Sequence, residues 1–334
     1  MIAEYLAGIS LGTAVSKGSM TVFPVFGRSA TQESEYLLIQ EALDNGVLQI
    51  TELSEGGRVP ELLAVNTGKQ SVLLIDGDQV VGGLQDRVVN CSILLAPESR
   101  TKLPVSCTER ARWRSTSHEF RSADFIMSSD SRRKKMHSVS DSLRRSGSFA
   151  GNQAEIWNAV SDLNMKSGAQ SPTDAMKDGF AAKKLDIDDL IAAFPIRQHQ
   201  QGILVFHNAR VAGLEILSRE DVFLKLYDKL MRSFAIDGSF LEPRVIRKSV
   251  LSTTAKAFIA GVTKCTAETF PSIGLGNACR FSGKGMIGAG LVHGNEVIHL
   301  SFCAAEDPPR EHDDERMAGF RNRQSNEMGR RAVG

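Results

Sequence analysis

From Leu74 to Trp113 the chain reads LIDGDQVVGGLQDRVVNCSILLAPESRTKLPVSCTERARW, and this stretch decides the predicted fold. Within Arg87–Leu95 apolar and polar side chains alternate, which is typical of a strand with one buried face. Residues 97–99 then turn the chain, and Lys102–Val105 can return antiparallel to the first strand. The stretch therefore predicts a pair of antiparallel strands.

The remaining chain divides into a strand-rich first part and a helix-rich second part. Short strand patterns, separated by glycine-containing turns, occupy residues 47–52, 59–66 and 71–75. Helical spacing of apolar residues is clearest in Gln153–Met165 and in residues 218–234, and a last hairpin is predicted around residues 293–295. Because strands and helices do not alternate regularly, the pattern predicts an α+β fold. Its core is antiparallel and strand-rich, and its helices lie mainly in the second half.

The composition along the chain predicts a single domain over residues 1–305. Within it, residues 114–150 are rich in Ser, Arg and Lys and are predicted to form a mobile loop. Residues 306–334 are charged and poor in apolar side chains, so a disordered tail is predicted there. The basic run at residues 132–135 lacks interleaved aromatic residues, so nucleic acid is not the expected partner.

The bulk composition argues against several classes of protein. The net charge of +1 gives no general attraction to nucleic acid or to a membrane surface. No run approaches the roughly 20 apolar residues of a membrane span, and the N-terminus lacks the basic segment of a signal peptide. The five cysteines are scattered and form no C-x-x-C pair, which favours free thiols over disulfides or a zinc site. The sequence therefore predicts a cytoplasmic protein without a membrane partner.

The quoted stretch also concentrates side chains that form hydrogen bonds and ion pairs. Those that could contact a polar ligand are Asp76, Asp78, Gln85, Arg87, Asn90, Glu109, Arg112 and Trp113. Arginine presents a planar fork to phosphate, and a carboxylate can act as a general acid or base or bind a metal ion. Each group also has a structural alternative. Asp76-Gly77-Asp78 could be a hairpin turn, Gln85–Asn90 a polar strand face, and Glu109–Trp113 a salt bridge beside a core tryptophan.

Other motifs point to structural roles. Cys107 is not followed by an arginine six residues later, as a phosphatase loop requires, so a buried inert thiol is expected. The glycine-rich run at residues 274–290 matches neither a P-loop nor a dinucleotide fingerprint and is assigned to tight strand turns. His299 lies in an apolar strand pattern and is interpreted as a core histidine with satisfied hydrogen bonds. The chain contains no H-E-x-x-H motif, and no metal site is predicted.

Several motifs of the chain match those of one protein family. In the central block they are Asp76-Gly77-Asp78, Gly82–Gln85, Arg87, Asn90, Pro104–Cys107, Glu109 and Arg112-Trp113; elsewhere they are Glu41-Ala42, Glu52, Asp221–Phe223 and Val297–Phe302. On these motifs, most of residues 8–303 resembles a mostly prokaryotic family. That family is named for its gene-neighbourhood association with ADP-ribosylglycohydrolases and rhodanese-phosphatase-superfamily proteins. Asp76 departs from the glutamate expected at its position, and residues 114–150 are peculiar to this chain.

The resemblance implies a role in the metabolism of NAD or ADP-ribose derivatives. Under it, Arg87 and Arg112 would hold a pyrophosphate, Gln85 and Asn90 would hold ribose hydroxyls, and Trp113 would stack on a ring. Glu109 with Asp76 or Asp78 would supply the two carboxyl groups that glycosidic cleavage commonly uses.

Two functions therefore compete, and a third, weaker hypothesis is a nucleic-acid-associated protein that uses the basic loop at residues 132–145. The first is a protein that binds or processes an ADP-ribose or NAD-derived nucleotide, as an enzyme or as a binding module. The second is a non-catalytic interaction or scaffold protein, in which the polar cluster is a structural hydrogen-bond network. Convergence of Gln85, Arg87 and Glu109 in one open cleft would favour the first function. Burial of the same residues among mutual partners would favour the second.

Overall fold

A computed structural model describes residues 1–27, 35–53 and 60–305. The helices of these residues are α1 (Ile2–Ala7), α2 (Ile39–Asp44), α3 (Ser129–Ser146), α4 (Gln153–Ser167), α5 (Met176–Ala182), α6 (Lys184–Ala192), α7 (Glu220–Ser239) and α8 (Lys248–Val262). Their strands are β1 (Ser10–Leu11), β2 (Val15–Lys17), β3 (Met20–Phe26), β4 (Tyr36–Leu38), β5 (Leu48–Glu52), β6 (Glu61–Asn66), β7 (Ser71–Leu74), β8 (Asp78–Val81), β9 (Arg87–Val89), β10 (Ile93–Leu95), β11 (Ser99–Cys107), β12 (Arg121–Ile126), β13 (Gly202–His207), β14 (Arg210–Leu217), β15 (Thr266–Pro271), β16 (Asn277–Gly283), β17 (Met286–His293) and β18 (Glu296–Ala304). The predicted tail at residues 306–334 lies outside the described residues.

The strands form three sheets. A nine-stranded antiparallel sheet has the order β1-β3-β13-β14-β18-β17-β16-β15, with β2 also paired to β3. A six-stranded sheet has the order β12-β8-β9-β11-β6-β5, and a three-stranded sheet has the order β10-β7-β4. Most helices follow residue 129, so the α+β prediction is confirmed. The predicted hairpin around residues 293–295 is also confirmed, because β17 and β18 pair on either side of it.

The register of the nine-stranded sheet places a polar row across one of its faces. Arg280 on β16 lies opposite Ala289 on β17, which lies opposite Ser301 on β18. Ser301 in turn lies opposite Glu215 on β14. Because side chains two residues apart on a strand share a face, His299 points to the same side as Ser301. The sheet thus gathers polar groups that lie far apart in the chain.

The presence of helix α3 contradicts part of the loop predicted at residues 114–150. Residues 121–126 form β12 and residues 129–146 form α3, so the prediction of a loop is wrong for these residues. Ser128 caps the helix by accepting a hydrogen bond from the Ser131 backbone N–H. Its buried residues include Arg132, Lys135, Met136, Val139 and Leu143, which recur at the i, i+3, i+4, i+7 spacing of one helix face. Two of these side chains, Arg132 and Lys135, are cations. The buried face therefore does not stand out as an apolar stripe in the sequence, and the helix was not predicted.

Residues 1–304 form one compact unit. Its largest apolar cluster includes residues of α7, β12 and β13, among them Phe223, Ile126 and Val205. A second apolar cluster lies around β6, β9 and β11 and includes Val139 and Leu143 of α3. Among the described residues, no helix is both long enough and apolar enough to span a membrane.

Candidate functional site

A first cluster of polar side chains, most of them buried, lies at the loop that follows β11 and is called the Glu109 network. Its members are Glu52, Gln85, Asp86, Arg87, Glu109, Arg112, Thr173 and Lys177. Oε2 of Glu109 accepts hydrogen bonds from Arg112 Nε at 2.7 Å and from the Asp86 backbone N–H at 3.2 Å. Oε1 of Glu109 accepts a hydrogen bond from the Thr173 hydroxyl at 2.7 Å. The carboxylate therefore ties together three separate segments of the chain.

Arg112 closes this network against the loop that follows β8. Its guanidinium donates hydrogen bonds to Glu109, Asp86, Thr116 and the carbonyl oxygens of Gly82, Gly83 and Arg114. The φ angles of Gly82 and Gly83 are 136° and 50°, values that favour glycine. A Cβ on Gly83 would lie 2.3 Å from the Phe120 ring. The glycine pair thus lets the loop approach closely and turn its carbonyl oxygens towards Arg112.

Arg87 is the most deeply buried member of the Glu109 network. It donates hydrogen bonds to the Gln85 carbonyl oxygen at 3.0 Å and to Gln85 Oε1 at 3.3 Å, and it lies 3.8 Å from Glu52. Within the described part of the chain, its Nε and Nη2 atoms have no hydrogen-bond partner. The network is balanced in charge, because three carboxylates face three cations: Glu52, Asp86 and Glu109 against Arg87, Arg112 and Lys177.

The electrostatics of Glu109 favour a fixed carboxylate. Burial acts to raise its pKa, but hydrogen bonds from Arg112, Thr173 and the Asp86 backbone N–H outweigh burial and hold the pKa below its usual range. A general acid at neutral pH needs a raised pKa instead. In this conformation Glu109 is therefore better suited to hold neighbouring segments together as an ionised carboxylate than to donate a proton.

A second buried cluster, the Asp76 network, lies where the Asp76 turn, α3 and the nine-stranded sheet meet. Its members are Asp76, Ser92, Arg132, Lys135, Glu215, Arg280, His299 and Ser301. Lys135 is bonded to the Asp76 carboxylate and donates to the Val89 carbonyl oxygen at 2.8 Å. Arg132 reaches Glu215 at 2.8 Å and Asp76 at 3.7 Å. Arg132 and Lys135 of α3 thus form ion pairs with the buried carboxylates of Asp76 and Glu215.

Gly77 makes room for this arrangement. Its φ is 90°, and a Cβ there would lie 2.8 Å from Arg132 Cδ. The Asp76-Gly77-Asp78 segment is also not a hairpin turn, because β7 and β8 belong to different sheets. It carries the chain from the three-stranded sheet to the six-stranded sheet and leaves Asp76 facing α3.

His299 forms hydrogen bonds through both ring nitrogens. Its Nδ1 lies 2.7 Å from Ser92 Oγ, and its Nε2 lies 2.9 Å from Glu215 Oε2. Oε1 of Glu215 accepts a hydrogen bond from Ser301 at 2.9 Å. Burial acts to raise the pKa of Glu215, but Arg132 and His299 outweigh burial and lower it. Glu215 is therefore an ionised carboxylate with several donors.

A small cavity of about 10 Å³ borders the Asp76 network, which is room for about one water molecule. Six of its lining residues are Asp76, Cys91, Ser92, Arg280, His299 and Ser301. Arg280 is 3% exposed, and its Nε has no hydrogen-bond partner among the described residues. Burial lowers the pKa of Arg280, and its guanidinium stands over the Phe149 ring at 5.8 Å. The cavity wall therefore carries a positive charge that is not directly paired within the described chain.

The remaining predicted residues lie in other surroundings. Asp78 accepts a hydrogen bond from the Ile75 backbone N–H, and burial raises its pKa although Lys229 acts in the opposite direction. Asn90 bonds to Ser106 and to the Phe149 carbonyl oxygen. Trp113 is 53% exposed and is not a core residue. The structure thus brings Gln85, Arg87, Glu109 and Arg112 together, and it places Asp76, Asp78 and Asn90 elsewhere.

Neither cluster has the composition of a metal centre. In the described ranges, no three His, Cys, Asp or Glu side chains converge in a way that could hold a metal ion. Burial raises the pKa of the Cys107 thiol and raises that of Cys91 to about 12, so thiolates are disfavoured at both positions.

Comparison of the chain with protein families gives one match. The model of the ARG and Rhodanese-Phosphatase-superfamily-associated Protein domain matches residues 8–303, which is most of the chain. The chain belongs to this family. No curated protein and no solved structure matches it.

The ARG and Rhodanese-Phosphatase-superfamily-associated Protein domain spans every residue of both networks. Sequence reasoning named Gln85, Arg87, Glu109 and Arg112 of the Glu109 network but missed Asp86, Thr173 and Lys177, and it missed most of the Asp76 network. Glu215 and His299 each interrupt an apolar strand, in GLEIL and VIHLSF. A charged residue inside such a strand is almost never buried without a partner, and that signal could have identified Glu215. Helical spacing on α3 could have identified Arg132 and Lys135.

Proposed function

We propose that the protein binds an ADP-ribose or NAD-derived nucleotide at the surface of the Glu109 network. The class of ligand is supported by the family name, which associates the domain with ADP-ribosylglycohydrolases. The single observation that supports this location of the binding site is the exposure of Trp113. Its indole is 53% exposed and lies on a loop that Arg112 holds in position. An exposed aromatic ring offers a stacking surface for a base or a nicotinamide ring.

The groups around Trp113 suit the phosphates of such a ligand. Arg110 and Arg114 flank it on the same loop and are exposed, and the Lys177 side chain is 43% exposed. Arginine forks and lysine ammonium groups both bind phosphate oxygens. We refer to Arg110, Trp113, Arg114 and Lys177 as the Trp113 rim. In this proposal the buried Gln85, Arg87, Glu109 and Arg112 hold the rim in shape.

The roles first considered for the buried residues need a rearrangement. Arg112 already donates to six oxygens, and both oxygens of Glu109 are occupied. Contact of Arg112 with a pyrophosphate, or proton transfer by Glu109, would require these bonds to break. Arg87 and Asp76 are 0% and 3% exposed, so a ligand would reach them only if the surrounding structure opened. Binding therefore fits the geometry better than cleavage by these carboxylates.

A second candidate is a non-catalytic interaction protein whose polar cluster is structural. The balanced charges of the Glu109 network and the burial of Gln85, Arg87 and Glu109 favour it. Under this alternative the network fixes the fold, and the loop that carries Trp113 contacts another macromolecule. Nucleotide binding is the observation that separates the two candidates.

The test is calorimetric titration of the full chain with ADP-ribose and NAD, with adenosine as a ligand that lacks phosphate. Trp113→Ala should weaken binding by about 1–3 kcal/mol, the range for stacking of a base on an aromatic ring. Leu185→Ala is the matched control, because Leu185 is 84% exposed on α6 and away from the rim loop in the chain. If ADP-ribose and NAD both fail to bind at millimolar concentration, the interaction protein replaces this proposal.

A further inference from the structure

The hydrogen bonds around His299 have a defined direction. The Asp76 backbone N–H donates to Ser92 Oγ at 3.0 Å, so the serine hydroxyl proton is free to point at His299 Nδ1, 2.7 Å away. On the other side of the ring, the ionised Glu215 can only accept, so Nε2 carries the proton that bridges the 2.9 Å contact. The serine therefore faces the lone pair of an imidazole whose other nitrogen is held by a carboxylate.

We propose that Ser92, His299 and Glu215 form a second reactive site, in which Ser92 is a nucleophile towards small carboxylic esters. Enzymes of unrelated folds activate serine with the same three groups. These are the serine hydroxyl, a base within hydrogen-bond reach of it, and a carboxylate that orients the base. Here the two imidazole nitrogens exchange places relative to serine proteases, with Nδ1 facing the hydroxyl. This site is distinct from the Trp113 rim and does not rest on nucleotide binding.

The surroundings of Ser92 suit the acyl end of an ester. Ser92 and His299 both line the small cavity, whose volume of about 10 Å³ is that of a group of about the size of one water molecule. Arg280 lines the same cavity with an Nε that lacks a partner in the described chain, and it places positive charge near the oxyanion that forms on the carbonyl. Because the cavity is about 10 Å³, we expect short acyl groups such as acetyl and a slow reaction that needs the cavity to widen.

The reaction balances without any further reagent. Ser92 Oγ bonds to the carbonyl carbon while its proton passes to His299 Nδ1, and the carbonyl electron pair moves onto oxygen. Collapse of this intermediate breaks the bond to the alcohol, which leaves with the proton from His299. Water then attacks the acyl-serine with His299 as the base, which releases the carboxylic acid and restores Ser92.

The charged groups that face His299 come from several elements. Glu215 on β14 contacts it directly, and Arg132 on α3 reaches it through Glu215. Asp76, which follows β7, and Arg280, on β16, line the same cavity, and Asp78 lies near enough for His299 to affect its pKa. Glu215 does not line this cavity and can act on the reaction only through His299, so it is a positioning residue.

The test uses the full-length protein and p-nitrophenyl acetate. We expect release of p-nitrophenolate and one acetyl group on Ser92, located by mass spectrometry of peptides. Ser92→Ala should abolish this acetylation, and His299→Gln should slow it by about 10²–10⁴-fold, the usual contribution of a general base. Ser106→Ala is the matched control, because Ser106 is a buried serine whose partner is Asn90. It should react like the wild type.

The role of Glu215 has its own readout. Glu215→Gln should shift the pH profile of the acetylation rate to lower pH, because the imidazolium form of His299 loses its carboxylate partner. Glu220→Gln, which removes the carboxylate partner of the exposed His199 outside this site, should leave that profile in place. Thermal melts show which variants fold. The peptide map of the wild type tests for acetylated Ser92 even if a variant fails to fold. Absence of acetyl on Ser92 in the folded wild type, or undiminished acetylation in folded His299→Gln, would overturn the proposal.

Discussion

Lys135 places an ammonium group in the interior, where its partners are the Asp76 carboxylate and the Val89 carbonyl oxygen. Burial lowers the pKa of Lys135, and the contact with Asp76 opposes that shift. Removal of one partner of a buried ion pair leaves an uncompensated charge and costs about 3–5 kcal/mol. We therefore expect Lys135→Met to lower the free energy of unfolding by about that amount, measured by urea titration.

Lys134 supplies the matched control for this prediction. It forms an i,i+4 ion pair with Asp130, and both side chains are more than a third exposed. Exposed pairs contribute about 0–1 kcal/mol, so Lys134→Met should have little effect. The double variant Asp76→Asn, Lys135→Met should recover part of the loss, because the charge on Asp76 is removed together with its lysine. Equal effects of Lys134→Met and Lys135→Met would argue against a buried pair.

Glu109 makes the stability of the protein depend on pH in the acidic range. Because its folded-state pKa lies below the ordinary value of 4.5, the stabilisation from ionised Glu109 is fully present above pH 4.5. It is lost as the pH falls through the lower, folded-state pKa. Urea titrations should therefore give a difference between wild type and Glu109→Gln that is largest near neutral pH and shrinks in acid. A difference that stays constant with pH would contradict the lowered pKa.

Single residues also show what the sequence could and could not provide. The polar side chains of residues 76–112 stood out by density, and Gln85, Arg87, Glu109 and Arg112 do form one network. Their burial was not foreseen, because the residue types that bind a phosphate are also those that pair with one another. Whether a carboxylate faces a ligand or an arginine depends on neighbours such as Thr173, which lies 64 positions from Glu109.

At the scale of elements, α3 is where sequence reasoning failed. The composition predicts a mobile loop there, yet the buried face of α3 packs Val139 and Leu143 against one apolar cluster and pairs Lys135 with Asp76. We therefore expect deletion of residues 130–145 to cause a large loss of stability in thermal melts. The single strand predicted over Arg87–Leu95 is also wrong: residues 87–89 form β9 and residues 93–95 form β10, which lie in different sheets. Alternation along the chain predicts extended backbone, but it does not show that the chain changes sheets.

A proline placed within α3 tests the helix directly. His137 lies in the middle of α3 with its side chain 67% exposed, so substitutions there affect the backbone more than the packing. His137→Pro should cost about 3 kcal/mol or more, because proline removes a helical hydrogen bond and clashes with the preceding turn. His137→Ala should be nearly neutral. If His137→Pro melts at the same temperature as His137→Ala, the segment is not a helix in solution.

At the scale of the whole molecule, the contacts that build the Asp76 network join distant parts of the chain. His299 lies 84 positions from Glu215 and 207 positions from Ser92. Periodicity and turn signals act over a few residues, so they predicted the hairpin around residues 293–295 but not the pairing of β18 with β14. The register that sets Glu215 opposite Ser301 is fixed by the complete nine-stranded sheet. This is the physical reason why the second site could not be assembled from sequence patterns.

The two networks use different partners, and this leads to a prediction about their coupling. Within the described residues, no hydrogen bond or ion pair joins a member of the Glu109 network to a member of the Asp76 network. Substitutions without shared partners usually add to within about 0.3–0.5 kcal/mol. The loss of unfolding free energy in Glu109→Gln, Lys135→Met should therefore equal the sum of the two single losses in urea titrations at pH 7. An interaction energy well above 1 kcal/mol would mean that β8 and β9, which connect the networks, transmit strain from one to the other. Ligand binding at the Trp113 rim would then change the acetylation rate of Ser92, whereas additive losses predict that it does not.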